Sequence, residues 1–511
     1  MPLQTLVLAI VVVFALFMWQ GNKGFDLADE GFLWYGAQRV ALGEVPIRDF
    51  MAYDPGRYYW SAALMGLWGD NGITTLRVAA ALFQAMGLFV GLWLIACAIK
   101  RHHFSYLLLS TTTLVVWMVP YYRVFDHVLS ILLIGTLAFL VQNPTSRRYF
   151  LSGLCIGLVA FFGRNHGMYG VAGGIGVMLW LSIKRAEGPG LIKGFALWAA
   201  GITAGFTPAL FMTLLVPGFA AAFWESIRFL FETKATNIPL PIPWPWQTDF
   251  ASVPLDVAIR EVLVGLFFIA TVVFGVLSVV WVVWQKLHNR QVSAVLVVSS
   301  FLALPYAYYA YSRTDIQHLT LGIFPLLVGC LVLLAAQPAK IKWPLALVLC
   351  TSSLWVMHVQ HPGWRCRAGE QCVDIEIGRS NLVVDQSAAN VLGSLGKMVG
   401  RYAPDGRSFV VTPFWPGAYS VFGRKSPMWE IYALVPRPQA FERAEIERIK
   451  AARPGFVLMF NHPPGGGDEL RFEKTHPLTY HYILDHFERI HASGLYIAKG
   501  EHRIQQQGAT P

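Results

Sequence analysis

Apolar runs close to twenty residues long recur over the first 360 positions, separated by short polar breaks. A helix rises about 1.5 Å per residue, so such a run matches a hydrocarbon layer of about 30 Å. Spanning helices are expected at 3–20, 74–99, 104–120, 127–143, 149–163, 167–184, 192–216, 260–285, 291–311, 316–336 and 341–359, about eleven in all. The runs at 149–163 and 167–184 are short and rich in glycine, which weakens the pattern there. From about 361 onward the pattern changes. Segments 408–412 (SFVVT) and 455–460 (GFVLMF) read as short buried strands, and 437–452 and 481–490 as helices. That alternation predicts a small α/β domain. The expected organisation is a polytopic α-helical membrane domain over 1–360, with a long first loop at 21–73, followed by a soluble domain over 361–511. No repeat of fixed period is visible.

Charge placement orients this plan. Lys100/Arg101, Arg147/Arg148, Lys184/Arg185, Lys286/Arg290 and Lys340/Lys342 lie in alternate loops. The excess of basic residues in cytoplasmic loops puts all of these in the cytoplasm. The N-terminus is then cytoplasmic and the C-terminal domain outside. The first run lacks a basic leader and a small-residue cleavage pattern, so it reads as a retained helix rather than a signal peptide. Composition agrees: 55% of residues are hydrophobic and 14% charged, against about 25% charged in soluble domains. The formal charge of +10 is explained by the loop lysines and arginines, and no nucleic-acid-binding motif accompanies it. Of six cysteines, Cys97, Cys155, Cys330 and Cys350 sit in apolar runs. Cys366 and Cys372 lie close together in a polar segment and can close a small disulfide loop in an oxidising compartment. No Cys/His spacing of metal-site type occurs.

Ionisable groups beside a hydrocarbon layer are costly and therefore candidates for function. Asp29, Glu30, Asp49, Asp54, Arg57, Arg123, Asp126, Arg164, His166, Arg313, Asp315 and His318 all fall at external loops or external helix ends. The first loop is richest: Asp29-Glu30, then Gly43-Glu44-Val45-Pro46, Asp49, and Tyr53-Asp54-Pro55-Gly56-Arg57-Tyr58-Tyr59-Trp60. A carboxylate there can deprotonate an acceptor hydroxyl. The plain alternative is a solvated loop with a helix cap at Asp29. The loop at 217–259 holds an amphipathic stretch, 223–231, and a Pro/Trp-rich segment, 239–246; either an interfacial anchor or a gate fits.

The segment 29–59 resembles the first external loop of the GT-C glycosyltransferase superfamily, and most of all the family 39-like enzymes, which include protein O-mannosyltransferases and lipid A aminoarabinose transferases. The match rests on Asp29-Glu30 after the first helix, the Gly43-x-x-Pro46 turn, and Pro55 to Trp60 entering the next helix. Tyr53-Asp54-Pro55 stands where the family often has Lys-Pro-Pro. The resemblance implies transfer of a sugar from a polyprenyl-phosphate donor to an envelope acceptor, usually with inversion, at the outer face of a bacterial inner membrane. It makes Asp29 the expected general base, with Glu30 beside it or substituting for it.

Three further stretches supply candidate groups. In Tyr121-Tyr122-Arg123-Val124-Phe125-Asp126-His127, Asp126 is a second acid that orients the acceptor or pairs with Arg123. Arg164 and His166 interrupt two apolar runs and are candidates for a phosphate or sugar, or form a polar turn. In Arg313-Thr314-Asp315-Ile316-Gln317-His318 the spacing puts Asp315 and His318 on one helical face, a candidate lipid-phosphate site or an interfacial anchor. Arg57, Arg123, Arg164 and Arg313, with His166 and His318, are the expected donor-phosphate partners. No cofactor is expected, although a divalent ion at the acid pair is an alternative. The turn 462–468 lacks the Lys-Ser/Thr of a phosphate-binding loop and reads as a flexible turn. A lipid-linked-sugar transporter and a non-catalytic assembly protein are the rival classes. The nearly uncharged midplane stretches weigh against the transporter.

Overall fold

The computed structural model describes residues 2–99, 104–184, 188–233, 238, 240–366, 372–463, 467–490 and 494–499. Lys100, Arg101, Arg185, Pro239 and residues 464–466, singled out above, lie outside the described residues. Each expected span coincides with a helix or a bent helix pair. Among the described residues six helices are long and apolar enough to cross a membrane, or eight if each bent pair is one span. The chain is a multi-pass membrane protein. The helices Phe104–Val116, Ser146–Phe162 and Arg164–Ser182, shorter or less apolar, occupy three more of the expected positions. The bent pairs are Leu191–Gly205 with Thr207–Leu215, at 52°, and Ile316–Gly322 with Phe324–Ala335, at 56°. In each pair the second helix carries proline in its first turn, Pro208 and Pro325. Proline offers no N–H and crowds the turn before it, so the helix breaks there.

By internal contacts the chain divides into two compact units. The first comprises Met1–Gly21, Arg77–Val216 and Asn237–Trp364 and holds the spanning helices. Its glycine-rich helices pack by close backbone approach. Gly153 and Gly157 on Ser146–Phe162 face Gly201 and Gly205 on Leu191–Gly205, each four residues apart. A Cβ on Gly153 or Gly157 would run into the carbonyl oxygens of Trp198 and Ile202. One on Gly201 or Gly205 would meet those of Phe150 and Leu154. The residues that blurred the apolar pattern are thus the ones that let two helices touch, a packing mode suited to lipid, where dispersion contacts drive helix association.

The second unit comprises Asn22–Leu76, Pro217–Thr236 and Arg365–Pro511. The first loop and part of the loop at 217–259 are therefore built together with the C-terminal segment. Strands β1 (Cys372–Ile377) and β2 (Ser380–Asp385) form an antiparallel hairpin, and Cys366 is disulfide-bonded to Cys372 at its start. The loop backbone extends this sheet: Val383 N–H donates to Asn22 O and Gly24 N–H to Val383 O, both at 2.8 Å. A second sheet holds β3 (Val410–Thr412), β4 (Val457–Met459), β5 (Phe487–Ile490) and β6 (Leu495–Ala498) in the order β3-β4-β6-β5. Strands β3 and β4 are parallel, and the other neighbours antiparallel. The expected helix at 481–490 is corrected: the helix is Pro477–His486, and 487–490 is β5. Phe487 is buried while Glu488 and Arg489 face out, and the segment pairs along its whole length with β6. Val410, Ile449, Val457, Phe472 and Ile483 form the core.

A buried ion group ties this unit together. Glu430 accepts from Arg437 Nε at 2.6 Å and meets His476 Nε2 at 2.9 Å. Burial alone would raise the Glu430 carboxyl, but His476 and Arg437 outweigh it and hold it below its ordinary value. The Arg437 guanidinium also lies 3.6 Å from the ring centre of Phe229, on the amphipathic helix Phe219–Thr233. Trp224 and Phe231 of that helix remain exposed.

Gly201→Val should destabilise the protein by about 1–3 kcal/mol, the usual cost of overpacking. Gly393→Ala, in a helix where a Cβ meets nothing within 4 Å, should be neutral or stabilising. Thermal midpoints of the two purified variants check this; equal midpoints would refute the glycine contact.

Candidate active site

In the first loop the chain turns at Asp26 before the helix Asp29–Ala41. Ala28, not Asp29, holds the capping position, and it has no side-chain cap. The turn is closed by Asp26, whose Oδ1 accepts from Ala28 N–H at 2.8 Å and whose carbonyl accepts from Gly31 N–H at 2.9 Å. Asp26 N–H reaches Glu30 Oε2 at 3.4 Å. Asp29 and Glu30 form the acidic first turn, where the helix dipole favours negative charge. Glu30 is buried and Asp29 half-buried. Gly31 lies against Gly417, whose N–H donates to Leu27 O at 2.9 Å, so neither glycine has room for a side chain.

Asp26 was not among the sequence-derived candidates. Burial pushes its carboxyl up to about 6, and the charges of Asp29 and Glu30 add to the rise. Three acids within five residues were the available signal. A carboxyl poised near neutral pH suits proton transfer.

The other first-loop acids have structural partners. Glu44 binds Arg39 and Lys425, with Arg39 Nε–Oε2 at 3.0 Å and Lys425 Nζ–Oε1 at 2.7 Å. Asp49 binds Arg48 at 2.8 Å and accepts from Val45 N–H at 2.7 Å. Asp54 occupies the capping position of the helix Pro55–Trp68 without a cap hydrogen bond from its side chain. Arg57 in that helix's first turn is buried, with its guanidinium 5.1 Å from the Tyr53 ring centre.

The first unit holds the remaining candidates. Asp126 sits in the first turn of Val124–Gln142, and His166 in the first turn of Arg164–Ser182. His166 Nε2 lies 3.0 Å from Asp126 Oδ1, and its Nδ1 lies 2.7 Å from Tyr306 Oη. Both ring nitrogens are therefore engaged, and the group is buried, with His166 1% and Asp126 3% exposed. Tyr169, Tyr306 and Tyr309 surround the imidazole. In this arrangement one ring nitrogen of His166 faces Asp126 and the other Tyr306. Arg123 packs on Tyr122, whose hydroxyl lies 3.3 Å from Gln317 Oε1. His127 Nε2 lies 2.9 Å from Thr320 Oγ1. These links join the turn 121–127 to the turn 313–320.

At the latter, Asp315 caps the helix Ile316–Gly322. Its Oδ1 accepts from His318 N–H and meets His318 Nδ1, both at 2.8 Å. Arg313 Nε lies 2.7 Å from Asp315 Oδ2 without an aligned hydrogen bond. Asp315 and His318, expected on one helical face, are paired with each other, and Arg313 joins them. Thr314 Oγ1 lies 2.6 Å from Leu240 O and 2.9 Å from Pro241 O, which holds the Pro/Trp-rich segment against this turn. Arg164 is half-buried at its helix start.

Sequence reasoning also missed Arg77 and His361. Arg77 is 2% exposed and donates to Gly21 O at 2.9 Å. His361 bridges Gln20 Oε1 and Val116 O, each at 3.1 Å. A charge inside the 74–99 run was the signal for Arg77. Nothing local marked His361. No group of three or more His, Cys, Asp or Glu with metal-binding geometry occurs among the described residues.

No family model matches the sequence, and no curated protein matches it. Solved structures do. ArnT from Cupriavidus metallidurans, bound to undecaprenyl phosphate, superposes with a TM-score of 0.56 at 12% identity, covering 96% of this chain and 97% of that one. The oligosaccharyltransferase of Archaeoglobus fulgidus gives a TM-score of 0.42 at 11% identity, over 89% of this chain and 68% of that one. At such identities the likeness concerns the fold, and the first match carries it: the chain has the fold of ArnT over nearly its full length.

Asp26 should titrate near pH 6, and Asp29→Asn should lower that midpoint, because a neighbouring negative charge is removed. An infrared titration of the carboxyl stretch, with Asp26→Asn assigning the band, measures both. An unchanged midpoint in Asp29→Asn would separate the two carboxylates.

Proposed function

We propose that the protein is a membrane glycosyltransferase that moves a sugar from a polyprenyl-phosphate donor to an extracytoplasmic acceptor in the cell envelope. The observation that carries this reading is the full-length likeness to ArnT, a protein solved with undecaprenyl phosphate bound, together with the carboxylate group at Asp26, Asp29 and Glu30. The location proposed is a bacterial inner membrane, with the N-terminus cytoplasmic and the C-terminal segment outside.

In the proposed reaction an acceptor hydroxyl oxygen attacks the anomeric carbon of the donor sugar. Its proton passes to Asp29, the general base. The bond from the anomeric carbon to the phosphate oxygen breaks, and the phosphate leaves with the electron pair. A single displacement inverts the anomeric centre. Glu30 and Asp26 keep a negative field around the base. Asp126, oriented by His166, positions the acceptor. The developing phosphate charge needs fixed cations. Arg57, Arg123, Arg164 and Arg313 are the proposed partners, with Asp315 and His318 fixing Arg313. No step assigns a role to a metal.

Purified protein should transfer label from at least one polyprenyl-phosphate sugar to extracted envelope acceptors. Asp29→Asn keeps the shape and removes the base, so turnover should fall about 100- to 10,000-fold while expression is kept. Wild-type turnover by the variant would remove Asp29 as base. Carrier binding without transfer from any donor would favour the transporter reading.

A further inference from the structure

A cavity of about 610 Å³ opens within the second unit, a size typical of small-molecule sites. It lies along the C-terminal half of the helix Asp29–Ala41. Arg39 lines it, ten residues beyond Asp29, or about 15 Å along the helix. The cavity is therefore separate from the acid group at the helix start. Its other walls are the end of the helix Pro55–Trp68, the β1–β2 turn and the segment 420–424.

The walls are built to leave space. Gly69, Gly378 and Gly423 all line the cavity with positive φ, 63°, 60° and 60°, and a Cβ at any of them would meet nothing within 4 Å. Two polar groups in the wall lack partners. Ser420 is 4% exposed, and its hydroxyl, buried, has no hydrogen-bond partner. The buried Arg424 Nε has none either. Both atoms are closed off from water, so the wall holds two polar atoms that the protein itself leaves unanswered.

The charge pattern identifies the filler. Arg379 and Arg424 present guanidinium groups, while Arg39 is held by Glu44. Guanidinium forks match a carboxylate or phosphate. The same cavity is lined by Asp70 and Asn71, and the Asp70 carboxylate accepts from Thr75 Oγ1 at 2.8 Å and Gly72 N–H at 3.2 Å. A carboxylate in the wall repels a bare polyanion but accepts hydroxyl donors. One molecule that satisfies both signs is a hydroxyl-rich ring bearing a single anionic group. We infer that this cavity binds an acidic saccharide, a sugar carrying a carboxylate or a phosphate, with Arg379 and Arg424 on the anion, Ser420 beside it and Asp70 on ring hydroxyls.

Calorimetric titration of the purified full-length protein tests this without any transfer assay, so its outcome is independent of the glycosyltransferase reading. The probes are digalacturonate, glucose 6-phosphate, lactose and inorganic phosphate. Saturable binding of digalacturonate or glucose 6-phosphate is expected, and whichever binds identifies the anion. Lactose and inorganic phosphate should bind at least tenfold more weakly. Arg379→Gln with Arg424→Gln should weaken acidic-sugar binding at least tenfold. Arg379→Gln alone, on an exposed turn, should weaken it severalfold and serves if the double variant does not fold. Failure of both acidic sugars to saturate, equal binding of lactose or phosphate, or unchanged affinity in a folded Arg379→Gln variant would each overturn the inference.

Discussion

An apolar helix bundle can keep a polar side chain only where another part of the chain answers it. In hydrocarbon an unanswered donor or acceptor costs several kcal/mol, as an order of magnitude. The first unit answers four of its buried polar groups in this way. Asp126 is met by His166, and His166 in turn by Tyr306. Arg77 finds the carbonyl at the end of the first helix. His361 bridges Gln20 and Val116. Each pairing joins helices far apart in sequence, so satisfying the polar groups also fixes which helices are neighbours. The glycine faces of Ser146–Phe162 and Leu191–Gly205 then let backbones close without side chains between them.

The second unit solves a different problem. It must hold several carboxylates near one another on a chain that emerges from an apolar run. Glu44 and Asp49 are neutralised by arginine and lysine, and serve to fold the loop. Asp26, Asp29 and Glu30 are stacked on one turn, and Asp26 responds with a raised affinity for its proton. Mutual repulsion and partial burial are what tune a carboxylate toward base chemistry. The backbone bonds from Asn22 and Gly24 to Val383, and from Gly417 to Leu27, keep that turn in place. The C-terminal segment is thereby part of the scaffold for the first loop.

How much of this could be read from the sequence depends on the range of the interaction. Helix positions follow from apolar runs, a property of adjacent residues, and all the expected spans were found as helices. That Asp315 and His318 share one helical face was legible for the same reason, being set by a three-residue spacing, whereas the capping role of Asp315 emerges only with the helix start at Ile316. The strand 487–490 was not, because a helix and a strand compete for the same few residues and the decision rests on pairing with β6. The partnership of Asp126 with His166 spans forty residues, and no local spacing records it. The grouping of 22–76 and 217–236 with the C-terminal segment was hidden altogether, since no periodicity records a contact between Tyr35 and Ser426.

The central claim is single-displacement transfer with one first-loop carboxylate acting as base. The most direct measurement is the anomeric configuration of the glycosidic bond formed from a polyprenyl-phosphate sugar of known configuration, read by proton NMR of the product. The account predicts inversion. Retention would contradict it, because retention requires a carboxylate to attack the sugar and form a covalent intermediate.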